Sequence, residues 1–230
     1  RKDISSTVKL YFDTFKNVLK KPAMILKTSG ATTSVVDRYD ILKKIKHIKK
    51  SCGGNIKTLP PVYLLHGDLE DAQMNELYNH HKIKAMVSLT HGEGFGRPLL
   101  EFATTGKPIM ASDWSGQVDF LNKGYTTLLP GELKNVPKDS FPKNIWVKEA
   151  KWFEVNYGIV RSMLKNITKN YKKFKKKALK QQQYAKKFTR DKMTKKLGEI
   201  LDAYLPIPVE EVDIKLPKLK KVKLPKLKKL

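Results

Sequence analysis

The sequence predicts an α/β fold: a Rossmann-like domain built on a doubly wound parallel sheet, followed by closing helices and a basic tail. Three observations predict it. Short apolar runs of strand length alternate with longer segments whose apolar residues recur at helical spacing, the pattern of a parallel sheet covered on both faces. A glycine-rich stretch stands at the end of one apolar run, where open α/β sheets gather their ligands. Beyond Pro130 the strand-like runs stop and lysine-rich helical patterns take over. With 40% apolar residues, the chain has enough material for a real core.

From residue 3 to 20 the apolar positions Ile4, Val8, Leu10, Tyr11, Phe15, Val18 and Leu19 fall at helical spacing, and Lys21-Pro22 stops the helix. Residues 23–28 read as a strand. Residues 36–50 read as a helix broken by Gly53-Gly54, and 62–65 as a short, wholly apolar strand. Residues 68–80 are helical, opened by Asp68, Glu70 and Asp71, which the helix dipole favours. Then come a strand at 85–89, a helix at 98–105 with Pro98 at its first position, and a strand at 108–111. A helix near 117–121 and a strand near 126–129 complete the alternation. After Pro130 a proline-spaced loop runs to about Pro142, and helices with no strand between them are expected over 151–204.

Pro206 and Pro208 end the helical part, and the remainder holds a direct repeat, KLPKLKKV at 215–222 and KLPKLKKL at 223–230. Its regularly spaced prolines and dense lysines cannot bury a core, so an extended tail is expected. The formal net charge of +25 favours polyanions. Lysines crowd into residues 165–187, where Ile167, Tyr171, Phe174 and Leu179 recur at core-like intervals, so those lysines read as the outward face of amphipathic helices. The tail adds a candidate contact to DNA, lipopolysaccharide or anionic membrane.

No run approaches the ~18 to 20 apolar residues of a membrane span, and no apolar signal segment stands near the start. Cys52 is the one cysteine, which excludes an internal disulfide and fits a reducing, cytoplasmic setting. The chain begins at Arg1 rather than a methionine, so a piece of a longer polypeptide is expected.

The candidate site lies at residues 91–101. The strand Ala85-Met86-Val87-Ser88-Leu89 runs directly into Gly92-Glu93-Gly94-Phe95-Gly96, and Pro98 opens the next helix. Backbone amides and the helix dipole converge there on anionic groups such as a diphosphate, and glycines let the backbone approach the ligand. The glycines do not follow the Gly-x-Gly-x-x-Gly spacing of a dinucleotide site, and alone they read equally well as a tight turn. Glu93 and Glu101 add two carboxylates that can face one crevice, and carboxylates accept well from paired sugar hydroxyls. A solvated loop charge and a helix N-terminal charge are their plain alternatives.

His91 precedes the loop, either touching a ligand or acting structurally. Lys27 ends the first strand, either a phosphate or base contact or a solvated lysine. His47, His80 and His81 lack partners at ligand spacing, so no metal is expected.

The run from Glu93 to Glu101 (EGFGRPLLE), followed by FATTGKPIMAS at 102–112, resembles the Glu-x7-Glu signature and downstream strand of retaining GT-B glycosyltransferases of family four, the glycosyl transferases of group 1. The resemblance extends to DWSGQVDFL at 113–121, back through His66-Gly67-Asp68-Leu69, and forward to Trp152, the usual start of the closing helical region. Arg1-Lys2-Asp3 falls where the family carries an Arg-Lys-Asn-like segment. The resemblance covers about residues 1–204 and implies the carboxyl-terminal, donor-binding half of a GT-B fold.

On that resemblance residues 1–150 form the Rossmann-like nucleotide-sugar-binding domain and 151–205 the closing helical segment; the Lys/Pro-rich tail, 206–230, is left unexplained by it. The same resemblance implies that Glu101 holds the ribose hydroxyls. By the same resemblance Glu93 is expected to be the catalytic-site residue that meets the transferred sugar, with the amides of Gly94, Phe95 and Gly96 on sugar and phosphates, and Arg1 or Lys2 on the diphosphate. The implied activity is transfer of a sugar, with retention, from a nucleoside diphosphate sugar to an unidentified acceptor, with no separate cofactor. The resemblance further implies an amino-terminal acceptor domain outside this chain, so the chain alone is expected to transfer nothing. The rival is a basic nucleic-acid- or polyanion-binding module on an inactive scaffold, with a DNA-modifying glycosyltransferase between the two.

Overall fold

The computed structural model describes residues 2–28, 32–53, 58–140 and 147–205. Arg1 and the repeat-bearing tail, 206–230, lie outside the described residues. The chain divides into two compact units, 1–189 and 190–230. The described part of the second is one helix, Arg190–Tyr204. Among the described residues no helix is long and apolar enough to cross a membrane.

Among its described residues the first unit holds five parallel strands. β1 (Met24–Lys27) pairs with β2 (Val62–Leu65), Met24 opposite Val62 and Lys27 opposite Leu65. β3 (Met86–Ser88), β4 (Ile109–Ser112) and β5 (Thr127–Leu129) form a second parallel ladder in the order β3-β4-β5. Every residue of β4 is buried. As side chains alternate along a strand, its neighbours sort onto opposite faces. Met110 packs with Val87 and Leu129 in one cluster, while Ile109 and Ala111 pack with Met86 and Leu128 in the other.

Helices close both faces. On the first lie α1 (Ile4–Phe15), whose Val8, Tyr11, Phe12 and Phe15 are buried, and α5 (Tyr157–Lys169), which contributes Val160, Leu164 and Ile167 at i, i+4 and i+7. Met24, Leu26 and Val62 pack against the same cluster, so both ladders share it. On the second face lie α4 (Arg97–Ala103) through Leu99, Phe102 and Ala103, and α6 (Tyr171–Ala185) through Ala185. Tyr78 of α3 (Asp71–Asn79) packs there too. The remaining helix, α2 (Val35–Ser51), is capped by Ser34, whose Oγ accepts from the Asp37 amide at 3.2 Å. This α/β architecture, parallel strands with helices on both faces, is the fold class the sequence predicts.

The structure departs from the expected elements in instructive places. α1 ends at Phe15 rather than near residue 20, because Leu19 is 96% exposed and finds no core, and Pro22 bars its predecessor from the helical region. The Tyr11 hydroxyl, donating to the Pro22 carbonyl at 2.6 Å, ties the following chain back onto the helix. α3 starts at Asp71 rather than Asp68, with the Gln73 side chain accepting from the Glu70 amide at 3.0 Å. The stretch expected near 117–121 is a single 3₁₀ turn, Gly116–Asp119.

The largest correction is a pair of antiparallel strands where a loop and a helix were expected. β6 (Gly131–Asn135) pairs with β7 (Lys151–Val155), Gly131 opposite Val155 and Asn135 opposite Lys151. In β7, Phe153 and Val155 are buried two residues apart, a strand period rather than a helical one. β6 is exposed throughout and so carries no hydrophobic signal; its backbone pairing, and the Lys134 to Glu154 ion pair at 2.6 Å, make it a strand. A Cβ on Gly131 would collide with the Glu154 carbonyl, so glycine permits the close pairing.

Candidate functional site

The carboxyl ends of β3 and β4 open into two loops, 89–96 and 113–116, and the second loop holds the first. Ser115 clasps the Glu93 peptide: its Oγ donates to the Glu93 carbonyl at 2.5 Å and lies 3.1 Å from the Glu93 amide, while the Gly116 amide donates to the same carbonyl at 3.1 Å. The loops approach so closely that a Cβ on Gly116 would overlap the Gly94 carbonyl. Ser115 sits at φ 73°, ψ −164°, a region that is essentially glycine's alone. Beneath, Ser112 Oγ donates to the Thr90 carbonyl at 2.9 Å, and Gln117 Nε2 donates to Ser112 Oγ at 2.8 Å. Gln117 is fully buried and its Oε1 has no donor among the described residues.

Glu93, though in a loop, has a side chain only 9% exposed, and its carboxylate is ion-paired with the Lys2 ammonium. The next residue, Asp3, accepts a hydrogen bond from the Tyr157 hydroxyl at 2.6 Å. This anchors the start of the chain to α5 and brings Lys2 to the loop. Burial, and then the bond to Asp3, push the Tyr157 phenol above the usual tyrosine range.

Gly96 caps α4 at φ 89°, and a Cβ there would press on Gln117 and Phe120 at 3.4 to 3.5 Å. Phe95 is partly exposed, its ring 5.0 Å from that of Phe120. A Cβ on Gly94 would meet nothing within 4 Å.

Glu101 has different neighbours from Glu93. It is the fifth residue of α4, accepts from Arg97 Nε at 3.0 Å in an i, i+4 pair, and is about half exposed. It lines a cavity of about 300 Å³ with Leu100, Thr104, Gln182, Lys186 and Phe188. With burial as the main cause, its charge helps push the Tyr78 phenol up to about 12.

His91 is buried, stacked on Trp152 at 4.0 Å and 11°, with Nδ1 2.7 Å from the Phe153 carbonyl. A carbonyl only accepts, so Nδ1 carries a proton. Phe153 returns a backbone bond to the His91 carbonyl at 3.2 Å. Lys27, at the carboxyl end of β1, donates to the Gly67 carbonyl at 2.6 Å, next to His66, whose Nε2 lies 2.8 Å from Asp37. Among the described residues no group of three or more His, Cys, Asp or Glu side chains could hold a metal ion.

Three contributors escape a reading of the sequence. Ser115 looks like an ordinary turn serine, and nothing local marks its pairing with Glu93. Trp152 belongs to a strand read as a helix, although the buried spacing of Phe153 and Val155 was a usable signal. Trp114 stacks on Phe153 at 5.6 Å and 7° and is 41% exposed beside the loops.

No protein-family model matches this sequence, and no curated protein matches it at a significant level. Solved structures match it by fold. HepE of Anabaena, solved with UDP and glucose, is similar over 84% of this chain and 44% of its own, at 13% identity and a TM-score of 0.55. Sucrose-phosphate synthase of Thermosynechococcus elongatus is similar over 88% of this chain and 43% of its own, at 12% identity and a TM-score of 0.58. The carboxyl-terminal domain of a group 1 glycosyl transferase of Francisella tularensis is similar over 85% of this chain and 80% of its own, at 15% identity and a TM-score of 0.51. The chain thus spans less than half the length of the first two. At these identities the likeness is one of fold, and the fold is that of the Rossmann-like fragment in GT-B glycosyltransferases.

Proposed function

We infer that this glycosyltransferase-like fold serves as the donor half of a retaining enzyme of the family-four type, which takes a sugar from a nucleoside diphosphate sugar and passes it to an acceptor held by a second domain. One observation carries the reading: a nearly buried Glu93 carboxylate, in a glycine loop at the carboxyl end of β3, clasped by a strained Ser115 and ion-paired with Lys2. A loop charge of no consequence has no reason to be buried and held by a neighbouring strained turn. The UDP and glucose bound to HepE, whose fold this chain shares, support a nucleoside diphosphate sugar as the ligand class.

In this reading the backbone of Gly94, Phe95 and Gly96 faces the sugar and its phosphates, where glycine leaves room for close approach. Lys2, with Arg1 beside it in sequence, meets the diphosphate. As the ammonium turns to the phosphates, the Glu93 carboxylate is left to accept from hydroxyls of the transferred sugar. Glu101 takes the ribose hydroxyls, exchanging its bond to Arg97 for them. Lys27 is a further phosphate or base contact, and His91 supports the loop. No protein nucleophile is required: the donor's own phosphate assists deprotonation of the acceptor, and the protein supplies orientation and charge stabilisation.

The test is calorimetry of a panel of nucleoside diphosphate sugars against the protein and Glu101→Ala. One donor should bind, and the variant should bind it about ten- to a hundredfold more weakly, the equivalent of ~1.5 to 3 kcal/mol for a lost charged hydrogen bond. Absence of binding across the panel would sink the donor-site reading; unchanged affinity in the folded variant would remove Glu101 alone.

A further inference from the structure

The positive charge of the first unit is concentrated on one pair of helices. Residues 157–189, which contain α5 and α6, hold ten lysines and one arginine and not a single acidic residue. All of these cations are exposed except Lys175, which is partly buried and donates to the Gly106 carbonyl at 2.6 Å. None of the eleven is ion-paired among the described residues. A solvated amphipathic helix usually intersperses both signs, so that i, i+4 pairs offset repulsion. Here that compensation is missing.

Two features narrow the partner. On the exposed face of α6, Lys172, Lys176, Leu179 and Lys180 follow one another at helical spacing, and the Leu179 side chain is 46% exposed among the lysines. The aromatic rings of this region, Tyr171, Phe174 and Tyr184, are partly buried, so they offer no free stacking faces for bases. A depression of about 340 Å³ beside it is lined by Leu128, Met163 and Phe174 together with Lys123, Lys173 and Lys177. Lysines with aliphatic side chains between them suit a layer of anionic headgroups above an apolar interior, whereas nucleic-acid readers draw on arginine forks and exposed rings.

We propose that the α5–α6 surface docks the protein on an anionic phospholipid membrane, independently of the sugar-transfer reading and of the tail. Each lysine near such a surface strengthens partitioning about fivefold, the equivalent of about 1 kcal/mol. The full chain should therefore co-sediment with phosphatidylcholine vesicles containing phosphatidylglycerol, should ignore vesicles of phosphatidylcholine alone, and should be released by raised salt.

Lys172→Gln/Lys176→Gln/Lys180→Gln, three exposed substitutions, should lower partitioning about a hundredfold with unchanged thermal unfolding. Leu179→Ser should weaken it further without altering net charge. Undiminished partitioning in the triple variant would overturn the assignment and point to the tail. So would displacement from the vesicles by duplex DNA at equal phosphate concentration, which would make the partner a nucleic acid. Should the triple variant unfold, the single variants Lys172→Gln and Lys180→Gln decide the matter: a fivefold loss in each supports the surface, and no loss in either rejects it.

Discussion

Replacing Ser115 in two ways separates strain from hydrogen bonding at the heart of the site. Its backbone, at φ 73° and ψ −164°, occupies a region that costs a residue with a Cβ about 1 to 3 kcal/mol. Its hydroxyl offsets part of that cost through two bonds to the Glu93 peptide, each worth about 0.5 to 1.5 kcal/mol. Ser115→Ala keeps the strain and loses both bonds, so it should destabilise the protein by about 1 to 3 kcal/mol. Ser115→Gly loses the same bonds but sheds the strain, less about 0.5 to 1 kcal/mol for the greater freedom of an unfolded glycine. The glycine variant should therefore be the more stable of the two, by about 1 kcal/mol at the middle of these ranges and about 2.5 kcal/mol at most, the reverse of the order at an ordinary backbone position. Urea unfolding followed by circular dichroism, compared at equal m-values, measures the gap. An alanine variant as stable as the glycine variant, or more so, would refute the claim of backbone strain. Donor affinity supplies a second readout: both variants free the Glu93 loop, so both should bind donor more weakly than the parent, whatever their stabilities.

On the proposed reading, in which a second domain holds the acceptor, Glu93→Gln should lower sugar transfer while nucleoside diphosphate still binds, because the proposed contact is to the sugar; collapse of nucleoside diphosphate binding would show that Glu93 is misassigned. Stability should fall with alkali. Tyr11, Tyr78, Tyr157 and Tyr171 are all held above the usual tyrosine range chiefly by burial, Tyr78 at about 12. The unfolded chain loses those phenolic protons first, near pH ~10, so each tyrosine removes up to about 1.4 kcal/mol per pH unit above that point until its folded value is reached. Lys107 and Lys175, held below the usual lysine range by burial, act in the opposite direction only below about pH 10.5, so the decline is read above it. Urea titrations between pH 9 and 12 should show the slope, and Tyr78→Phe should reduce it; a flat profile would contradict the burial of these phenols.

The parallel strands were legible because each is a short apolar run bounded by proline, glycine or charge. Residues 62–65 were read with their observed bounds, and 23–28 and 85–89 overran by one residue at each end, the ladders closing at Met24–Lys27 and Met86–Ser88. The glycine loop was legible for a related reason: a largely apolar strand followed by three alternating glycines leaves few conformations except a tight turn at a strand's carboxyl end. The Lys2 to Glu93 pair was not, since 91 residues separate the two and only closure of α1 and α5 over the sheet brings them together. Nor did the sequence mark Glu101 as the partner of Arg97 and neighbour of Tyr78, contacts that depend on which face of a seven-residue helix turns inward.

The element that sequence periodicity missed is also the one that secures the loop. β6 has no apolar face, so its strand character exists only through β7, and β7 in turn is held by Phe153 and Val155 in the core. From that anchorage the backbone of Phe153 exchanges two bonds with His91, its amide donating to the His91 carbonyl and its carbonyl accepting from Nδ1, while Trp152 covers the imidazole. His91 is the residue immediately before Gly92, so the entrance to the glycine loop is fixed from one side by β7, and its middle is fixed from the other by Ser115. Glycines make the loop able to adopt its path but cannot hold it there, because their freedom favours many paths. Holding it falls to contacts from chain segments some twenty and sixty residues away, and these convert a permissive sequence into one geometry for Glu93.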